Sequence, residues 1–433
     1  MYGFACGFFL LIGRNAIFCY SRCYRRKGGR IPLLSDRKPT IRFTAAGGAA
    51  GRRFISMKII NAKVFTGHSF TDGGIEFDQK ILDVGAHVTG SPADEAAGDL
   101  LDAQGCLLIP GLVDVHTHAA IGADASDGDP QGLQALGVYY AAEGVTSWCP
   151  TTMTLKEPQL TKAMEAIRAY QRPDKGAKAV GIHLEGPFVS YEKRGAQNPD
   201  NIHVPDAAMF HRLDEASGGM VRLITMAPET PGAIDCIRDI SKTCTVSVGH
   251  TVADYDTAMA AFEAGASHIT HVYNALNGLH HRAPGPIAAA FDSGATVELI
   301  PDGFHVHPAM IRLTHRIFGD NLVLVSDSLR CAGMPDGEYE LGGQPITMKN
   351  SKATLTGTDT LAGSSIHLME GLRRAVSFGI RLEDAVYAAT AAPARAIRMD
   401  DQIGSLEKGK CADFVLLDSD LRVRAVYVDG KKI

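Results

Sequence analysis

The sequence predicts an α/β protein: a closed (β/α)8 TIM barrel with a small β-sandwich domain built from both chain ends. The first observation is that eight apolar strand-like segments alternate with helical segments between residues 109 and 393. The second is that short strands separated by turn residues lie on both sides of this region. A doubly wound open sheet is the alternative arrangement for the same alternating pattern.

The predicted barrel strands lie near Val113, 146–149, Val180, 223–225, Val246, Ile269, 297–300 and Val323. The first of them belongs to one apolar run over 108–115. A hairpin insertion is predicted near 337–357, after the eighth strand.

The small β domain is predicted in two parts, 57–108 and 394–433. Its strands are expected at 58–65, 74–77, 79–84, 403–410, 412–417 and 423–428. The two parts would then clamp one side of the barrel.

Charge divides the chain unevenly. Of the net charge of −5, residues 1–56 contribute +10, with 11 Lys and Arg against the single acid Asp36, which leaves −15 for residues 57–433. An acidic body argues against nucleic acid as a partner. Residues 1–56 sustain no strand or helix period and are predicted to be a disordered extension or a non-native N-terminus, with a transit peptide as the alternative.

Membrane and disulfide chemistry are not indicated. No apolar stretch reaches the roughly 18 residues that a membrane span needs. The nine cysteines have no paired or metal-finger spacing. Reduced thiols and a cytoplasmic location are therefore expected.

Five predicted strand ends carry side chains that can bind a metal or move a proton. They are His116 and His118, Glu185, His250, His271 and Asp327. Each has an ordinary structural alternative when taken alone, such as a core histidine or a carboxylate paired at the rim. In a TIM barrel, however, the carboxyl ends of the strands converge on one mouth, where active sites lie.

The residue types at this mouth predict a metal-dependent hydrolase. His116 and His118 are two apart on a strand, so they point to the same face. Imidazole and carboxylate ligands favour Zn²⁺, with Fe²⁺, Mn²⁺ and Co²⁺ as alternatives. Asp327 is predicted to carry the proton between water and the leaving group. A capping Asp at a strand-to-loop turn is the alternative for this residue.

Six motifs, taken in order, resemble the amidohydrolase superfamily and, within it, the deacetylases of N-acetylated amino-sugar phosphates. They are 110–118 (PGLVDVHTH), 183–187 (HLEGP), 249–251 (GHT), 270–275 (THVYNA), 302–305 (DGFH) and 326–327 (SD). The resemblance covers residues 57–433. The segments 393–397 and 404–413 match the whole superfamily, so they support the fold and not the substrate.

The resemblance implies a role for each matched residue. Glu185, His250 and His271 would bind the principal metal, and Asp327 would be the general base and acid. Some relatives replace His-x-His with Gln-x-Asn and hold one ion; because His116 and His118 are both present, one or two ions per subunit are possible. Residues matched to the substrate pocket are Ala196, Gln197, Asn274, Ala275, Arg282, His305, Leu361, Ala362 and Gly363.

The implied reaction is hydrolysis of N-acetylglucosamine 6-phosphate to glucosamine 6-phosphate and acetate by a homodimer. Gln197 stands where relatives commonly have histidine, which leaves the preferred N-acetyl sugar phosphate open. Another amidohydrolase, acting on a related sugar phosphate or a cyclic amide, is the alternative enzyme. Ring-opening relatives usually bridge two metals with a carboxylated lysine, whose place Glu185 takes. A barrel retained only for binding is the non-enzymatic alternative.

Overall fold

The computed structural model describes residues 56–433. The predicted extension therefore lies outside the described residues except for Ser56. Within the described part of the chain, no helix has both the length and the apolar character that crossing a membrane requires.

The first elements belong to the small β domain. They are β1 (Met57–Phe65), β2 (Phe70–Phe77), β3 (Ile81–Gly85), α1 (Pro92–Ala97), β4 (Leu100–Asp102) and β5 (Leu107–Pro110). β1 pairs with β2 antiparallel and with β4 and β5 in parallel. The three predicted strands are confirmed, although the second begins earlier, at Phe70.

Eight parallel strands form the barrel, and the third of them is in two pieces. They are β6 (Leu112–Thr117), β9 (Val145–Thr152), the pieces β10 (Lys178–Ala179) and β11 (Ile182–Glu185), β12 (Val221–Met226), β13 (Thr245–Val248), β14 (His268–Ile269), β15 (Thr296–Leu299) and β16 (Leu322–Leu324). A small ribbon of β7 (Ala119–Ala120) and β8 (Ala123–Asp124) follows β6. Each strand pairs in parallel with the next along the chain. The eight predicted strand positions are confirmed.

Backbone hydrogen bonds after β16 bring the last strand back to the first. The Asp327 N–H donates to the His116 carbonyl at 2.9 Å, and the His118 N–H donates to the Ser328 carbonyl at 3.1 Å. The prediction of a (β/α)8 barrel is thereby confirmed over the open sheet. The same bonds place Asp327 beside His116 in β6 and His118 directly after it.

The sequence predicts one strand over the apolar run 108–115. In the structure, this run forms two strands. It divides at Gly111, so β5 joins the small β sheet and β6 enters the barrel. A Cβ at Gly111 would collide with the Thr146 side chain. Only glycine therefore permits the close approach that turns the chain from one domain into the other.

Helices alternate with the barrel strands, and three more follow the last strand. They are α2 (Pro130–Ala142), α3 (Glu157–Arg168), α4 (Ala207–Ser217), α5 (Ala233–Ile240), α6 (Tyr255–Glu263), α7 (Gly285–Ser293), α8 (Pro308–Phe318), α9 (Leu368–Ser377), α10 (Leu382–Ala389) and α11 (Ala391–Ala396). Local sequence explains several starts: the carboxylates of Asp129, Asp206 and Asp254 accept N–H bonds from the first turns of α2, α4 and α6.

The insertion after β16 is a three-stranded antiparallel sheet, so the predicted hairpin was wrong by one strand. Its strands are β17 (Gly337–Leu341), β18 (Gln344–Lys349) and β19 (Lys352–Leu355). The second reversal uses Asn350 and Ser351, whose φ angles are 52° and 62°. Such left-handed residues turn the chain back at once.

The chain ends complete the small β domain, as predicted. Here β20 (Phe414–Leu417), β21 (Val423–Val428) and β22 (Lys431–Lys432) extend the first sheet in the order β22-β21-β20-β5-β1-β2-β3. The rings of Phe77, Phe414 and Tyr427 pack in its core. The strand predicted over 403–410 was wrong: these residues form turns, because Gly404 and Gly409 adopt φ angles of 87° and 92°.

Candidate metal centre and active site

The predicted site residues meet at the carboxyl ends of the barrel strands. Glu185 ends β11, while His250, His271 and Asp327 follow β13, β14 and β16 within three residues. The last three have positive φ angles, of 48°, 26° and 47°. Non-glycine residues adopt this conformation rarely, and such outliers cluster at functional sites. The strained backbone turns their side chains toward the cavity rather than along the strand.

The first ligand group consists of Glu185, His250 and His271. Glu185 Oε1 lies 3.1 Å from His250 Nε2 and 2.9 Å from His271 Nε2, and the two nitrogens are 3.1 Å apart. All three side chains are buried. Three donor atoms that belong to distant parts of the sequence thus share one point.

A second ligand group consists of His116, His118 and Asp327. The Nε2 atoms of the two histidines are 3.3 Å apart, and Asp327 Oδ1 lies 3.6 Å from the first and 3.4 Å from the second. Glu185 joins the two groups, because its Oε1 is 3.4 Å from His116 Nε2 and its Oε2 is 3.3 Å from His118 Nε2. Its carboxylate therefore stands where a bridging ligand would.

The tautomers of these histidines fit a bound cation. The Nδ1–H groups of His118 and His250 donate to the carbonyls of Thr151 and Lys193, at 3.1 and 2.8 Å. A carbonyl only accepts, so each Nδ1 carries the proton and each Nε2 presents its lone pair to the centre. Lone pairs and carboxylates that converge in this way are stabilised by a cation, and the set suits Zn²⁺ or a similar divalent ion.

Electrostatics at the centre agree with this fit. Burial alone would raise the pKa of Glu185, but His116 and His250 hold it well below its usual range. Burial would also raise the pKa of Asp327, which His116 and His118 instead lower. For His118, burial is outweighed by Asp327 and Glu185, and its pKa is raised to about 9. A divalent cation that binds here displaces imidazole protons and meets carboxylates that are already ionised.

A cavity of about 350 Å³ opens above the ligands, a size suited to a small molecule. Twelve residues predicted from the sequence line it together with other residues: His118, Glu185, Ala196, Gln197, His250, His271, Asn274, Ala275, His305, Asp327, Leu361 and Gly363. Ala362 and His116 are buried beside it. Arg282 is not among the lining residues; it is exposed, with Nη1 2.6 Å from His281 Nε2.

The Gln197 side chain faces Glu185. Its amide Nε2 donates to Glu185 Oε2 at 2.5 Å, and its Oε1 accepts the Thr154 N–H at 2.8 Å. The predicted substrate contact remains a prediction, since Gln197 also lines the cavity. Its amide is engaged with the carboxylate between the two ligand groups.

Sequence reasoning missed two carboxylates that hold histidines of the site. Asp302 Oδ2 accepts a hydrogen bond from His305 Nδ1 at 2.7 Å, and Glu298 Oε2 accepts one from His116 Nδ1 at 2.8 Å. Burial alone would lower the pKa of His305, but Asp302 raises it. The available signal was a charged residue inside an otherwise apolar strand, Val-Glu-Leu-Ile over 297–300.

Two further groups bring potential ligand side chains together, and bonds within the protein explain both arrangements. His183, beside Glu185, has both nitrogens engaged, with the Val115 carbonyl at 3.1 Å and Thr225 Oγ1 at 2.8 Å. Around Asp413 and Asp429, the Lys178 ammonium supplies the positive charge, at 2.6 and 2.8 Å. In both groups, potential ligand atoms are thus engaged by other groups of the protein.

Comparison with known proteins identifies the class. The amidohydrolase family profile matches residues 107–433, which is most of the chain. The N-acetylgalactosamine-6-phosphate deacetylase of Escherichia coli O157:H7 is 37% identical over 329 residues, covering 75% of this chain and 87% of that protein. The N-acetylglucosamine-6-phosphate deacetylase of Bacillus subtilis (strain 168) is 37% identical over 325 residues, covering 73% and 82%.

Solved structures agree with this result. The N-acetyl-D-glucosamine-6-phosphate deacetylase of Mycobacterium smegmatis superposes with a TM-score of 0.80 at 32% identity, covering 87% of this chain and 100% of that one. The chain therefore belongs to the amidohydrolase family, and the predicted carbon–nitrogen hydrolase is confirmed. Within the family, the predicted resemblance to N-acetylglucosamine-6-phosphate deacetylases is confirmed as well.

Proposed function

We propose that this protein removes the acetyl group from N-acetylglucosamine 6-phosphate, giving glucosamine 6-phosphate and acetate. One observation carries the proposal: Glu185, His250 and His271 share a point within 3.1 Å of one another, and Asp327 faces them from the second ligand group. One or two divalent ions would bind there, with Zn²⁺ as the first choice. A bound ion polarises the acetyl carbonyl and lowers the pKa of water.

The protein's own groups would manage the protons. The lowered pKa of Asp327, which His116 and His118 cause against the effect of burial, leaves its carboxylate free to accept the proton of the attacking water. As the carbon–oxygen bond forms and the carbon–nitrogen bond breaks, Asp327 returns that proton to the sugar nitrogen. His305, held through Nδ1 by Asp302, has Nε2 available for a substrate oxygen. The second proton of the water also ends on the amine, so acetate and the ammonium form of the sugar leave.

The phosphate needs a cation, and the described part of one subunit does not place one at the cavity. No Lys or Arg lines it within residues 56–433. We infer that Arg282, exposed on the loop before α7, pairs with the phosphate, and that the enzyme is a homodimer in which one subunit completes its neighbour's pocket. Arginine suits this task because its planar fork binds two phosphate oxygens.

A second substrate is favoured by a specific observation. A relative at 37% identity is named N-acetylgalactosamine-6-phosphate deacetylase, so the galactosamine isomer is the alternative.

A cytoplasmic location is part of the same proposal. It is supported by six free cysteines in the described part of the chain.

The test combines elemental analysis of the purified protein with acetate release. Acetate release would be compared between N-acetylglucosamine 6-phosphate and N-acetylgalactosamine 6-phosphate, and the cyclic amide dihydroorotate, which has no acetyl group, would be followed by opening of its ring. We expect bound divalent metal and acetate from the first substrate at the highest kcat/KM. Higher kcat/KM for the galactosamine isomer would transfer the function to the second candidate. A metal-free protein that releases no acetate would refute both.

A further inference from the structure

His116 differs from the neighbouring ligand histidines in what holds its ring. His118 and His250 donate their Nδ1–H groups to backbone carbonyls, at 3.1 and 2.8 Å. His116 Nδ1 instead lies 2.8 Å from Oε2 of Glu298, a carboxylate on β15. The acceptor of its proton is therefore a charged group and not a neutral carbonyl.

The carboxylate of Glu298 is fully buried and is held from several sides. Its Oε1 accepts from His268 Nε2 at 3.1 Å, and its Oε2 also accepts the backbone N–H of His271 at 3.1 Å. The other nitrogen of the His268 ring is 2.5 Å from Thr296 Oγ1. Both carboxylate oxygens are therefore satisfied, and these bonds hold the side chain beside His116.

One carboxylate thus reaches both ligand groups. It contacts the ring of His116 in the second group and the backbone of His271 in the first. A carboxylate that accepts the Nδ1–H of a ligand histidine fixes the tautomer and raises the basicity of Nε2. Such an arrangement acts on the metal through its ligands, without contact with the substrate.

We propose that Glu298 is a positioning residue that sets the metal affinity of this site through His116 and the backbone of His271. The proposal rests on the proposed metal-dependent function. It goes further because it assigns a share of the metal affinity to a residue that does not line the cavity. Loss of such a partner typically lowers metal affinity about 10–100-fold.

The test is Glu298→Gln, which keeps the size of the side chain and removes its charge. Apparent Zn²⁺ affinity would be measured by competition with a chromophoric chelator, and the Co²⁺-substituted protein would be followed by absorption. We expect about 10–100-fold weaker Zn²⁺ binding and an altered Co²⁺ spectrum. We also expect deacetylase activity to be restored by excess Zn²⁺, because the ligands themselves remain. A purely structural defect would not be rescued by metal.

The matched control is Glu143→Gln. Glu143 Oε2 also pairs with a histidine, 3.2 Å from His367 Nε2, and neither residue lines the cavity. This variant should bind Zn²⁺ as the unmodified protein does.

The outcomes separate the two proposals. Equal Zn²⁺ affinity in Glu298→Gln and in the unmodified, active protein would overturn the role of Glu298 and leave the deacetylase intact. An unmodified protein that binds no metal would overturn both. If Glu298→Gln does not fold, Glu298→Asp keeps the charge but withdraws it from His116 by one methylene. Unchanged affinity in that variant would equally overturn the proposal.

Discussion

Lys178 joins the barrel to the small β domain through two carboxylates, so its removal should destabilise the protein. It lies on β10, and its Nζ is 2.6 Å from Asp413 Oδ2 and 2.8 Å from Asp429 Oδ1, which flank β20 and β21. The Asp413 side chain is 4% exposed, against 18% for Lys178 and 32% for Asp429. The substitution Lys178→Met keeps most of the aliphatic stem and removes only the charge.

The expected cost follows from this burial. Breaking a buried ion pair by removing one partner costs about 3–5 kcal/mol, because the remaining charge is uncompensated. Water reaches Asp429, and Asp413 keeps the hydrogen bond that it accepts from the Asp429 N–H at 2.8 Å. We therefore expect Lys178→Met to lower the free energy of unfolding by about 3 kcal/mol near neutral pH, the low end of that range.

The loss should depend on pH with a definite sign. Burial raises the pKa of Asp413 from its ordinary value of 3.8, although Lys178 lowers it. Removing the ammonium raises this pKa further in the folded protein. A carboxyl whose pKa is raised in the folded protein contributes less to the stability of the protein as pH rises through that pKa. The variant should therefore be less destabilised at mildly acidic pH than at neutral pH.

The assay is urea unfolding followed by the fluorescence of Trp148, the only tryptophan, which is fully buried in β9. Lys63→Met is the control. The Lys63 side chain is 49% exposed and that of its partner Asp72 is 84% exposed, so this substitution should leave the unfolding midpoint unchanged. Adding Asp413→Asn to Lys178→Met should recover most of the lost stability. If Lys178→Met behaves like the control, or if the double variant recovers nothing, the reasoning is refuted.

Three other predictions concern the site and the backbone. Asp327→Asn should keep the metal held by Glu185, His250 and His271 while kcat falls about a hundredfold or more, since the proton carrier is lost; near-normal turnover would remove Asp327 from the mechanism. Gly430→Ala should cost about 2 kcal/mol or more in urea unfolding, because its φ is 69° and a Cβ would strike a backbone carbonyl. Gly98→Ala, with a φ of 76° and open space around it, should cost only about 1 kcal/mol, so equal losses would contradict the steric explanation. In Asp302→Asn, the pKa of His305 should fall, because burial lowers it and Asp302 no longer raises it. If protonated His305 donates to a substrate oxygen, KM should rise as pH increases through the pKa of His305, and in this variant that rise should begin at lower pH. An unshifted KM profile would contradict this role.

Local sequence was sufficient to predict those features whose structure depends on a single segment of the chain. The apolar strands of the barrel alternate with amphipathic helices, and a carboxylate or imidazole at a strand end keeps that position whichever strand lies beside it. The five strand ends that carry His116, Glu185, His250, His271 and Asp327 could therefore be found from the order of residues alone. The convergence of these ends follows from the barrel as a rule of the fold.

Prediction from the sequence failed where the local structure depends on a residue that is distant along the chain. The run over 108–115 divides at Gly111 because the Thr146 side chain lies against it. The Glu298 carboxylate in β15 contacts the ring of His116, which is 182 residues away in the chain. Gln197 bonds to Glu185 because a loop brings its amide across β11.

The sequence by itself determined the barrel, the family and the set of potential ligands, because strand and helix periods and strand-end positions are local properties. Tertiary structure alone decided which atoms share a point, which tautomer each imidazole adopts and which carboxylates hold them. Those depend on distances of about 3 Å between side chains from different strands, and hydrogen bonds weaken steeply outside that range.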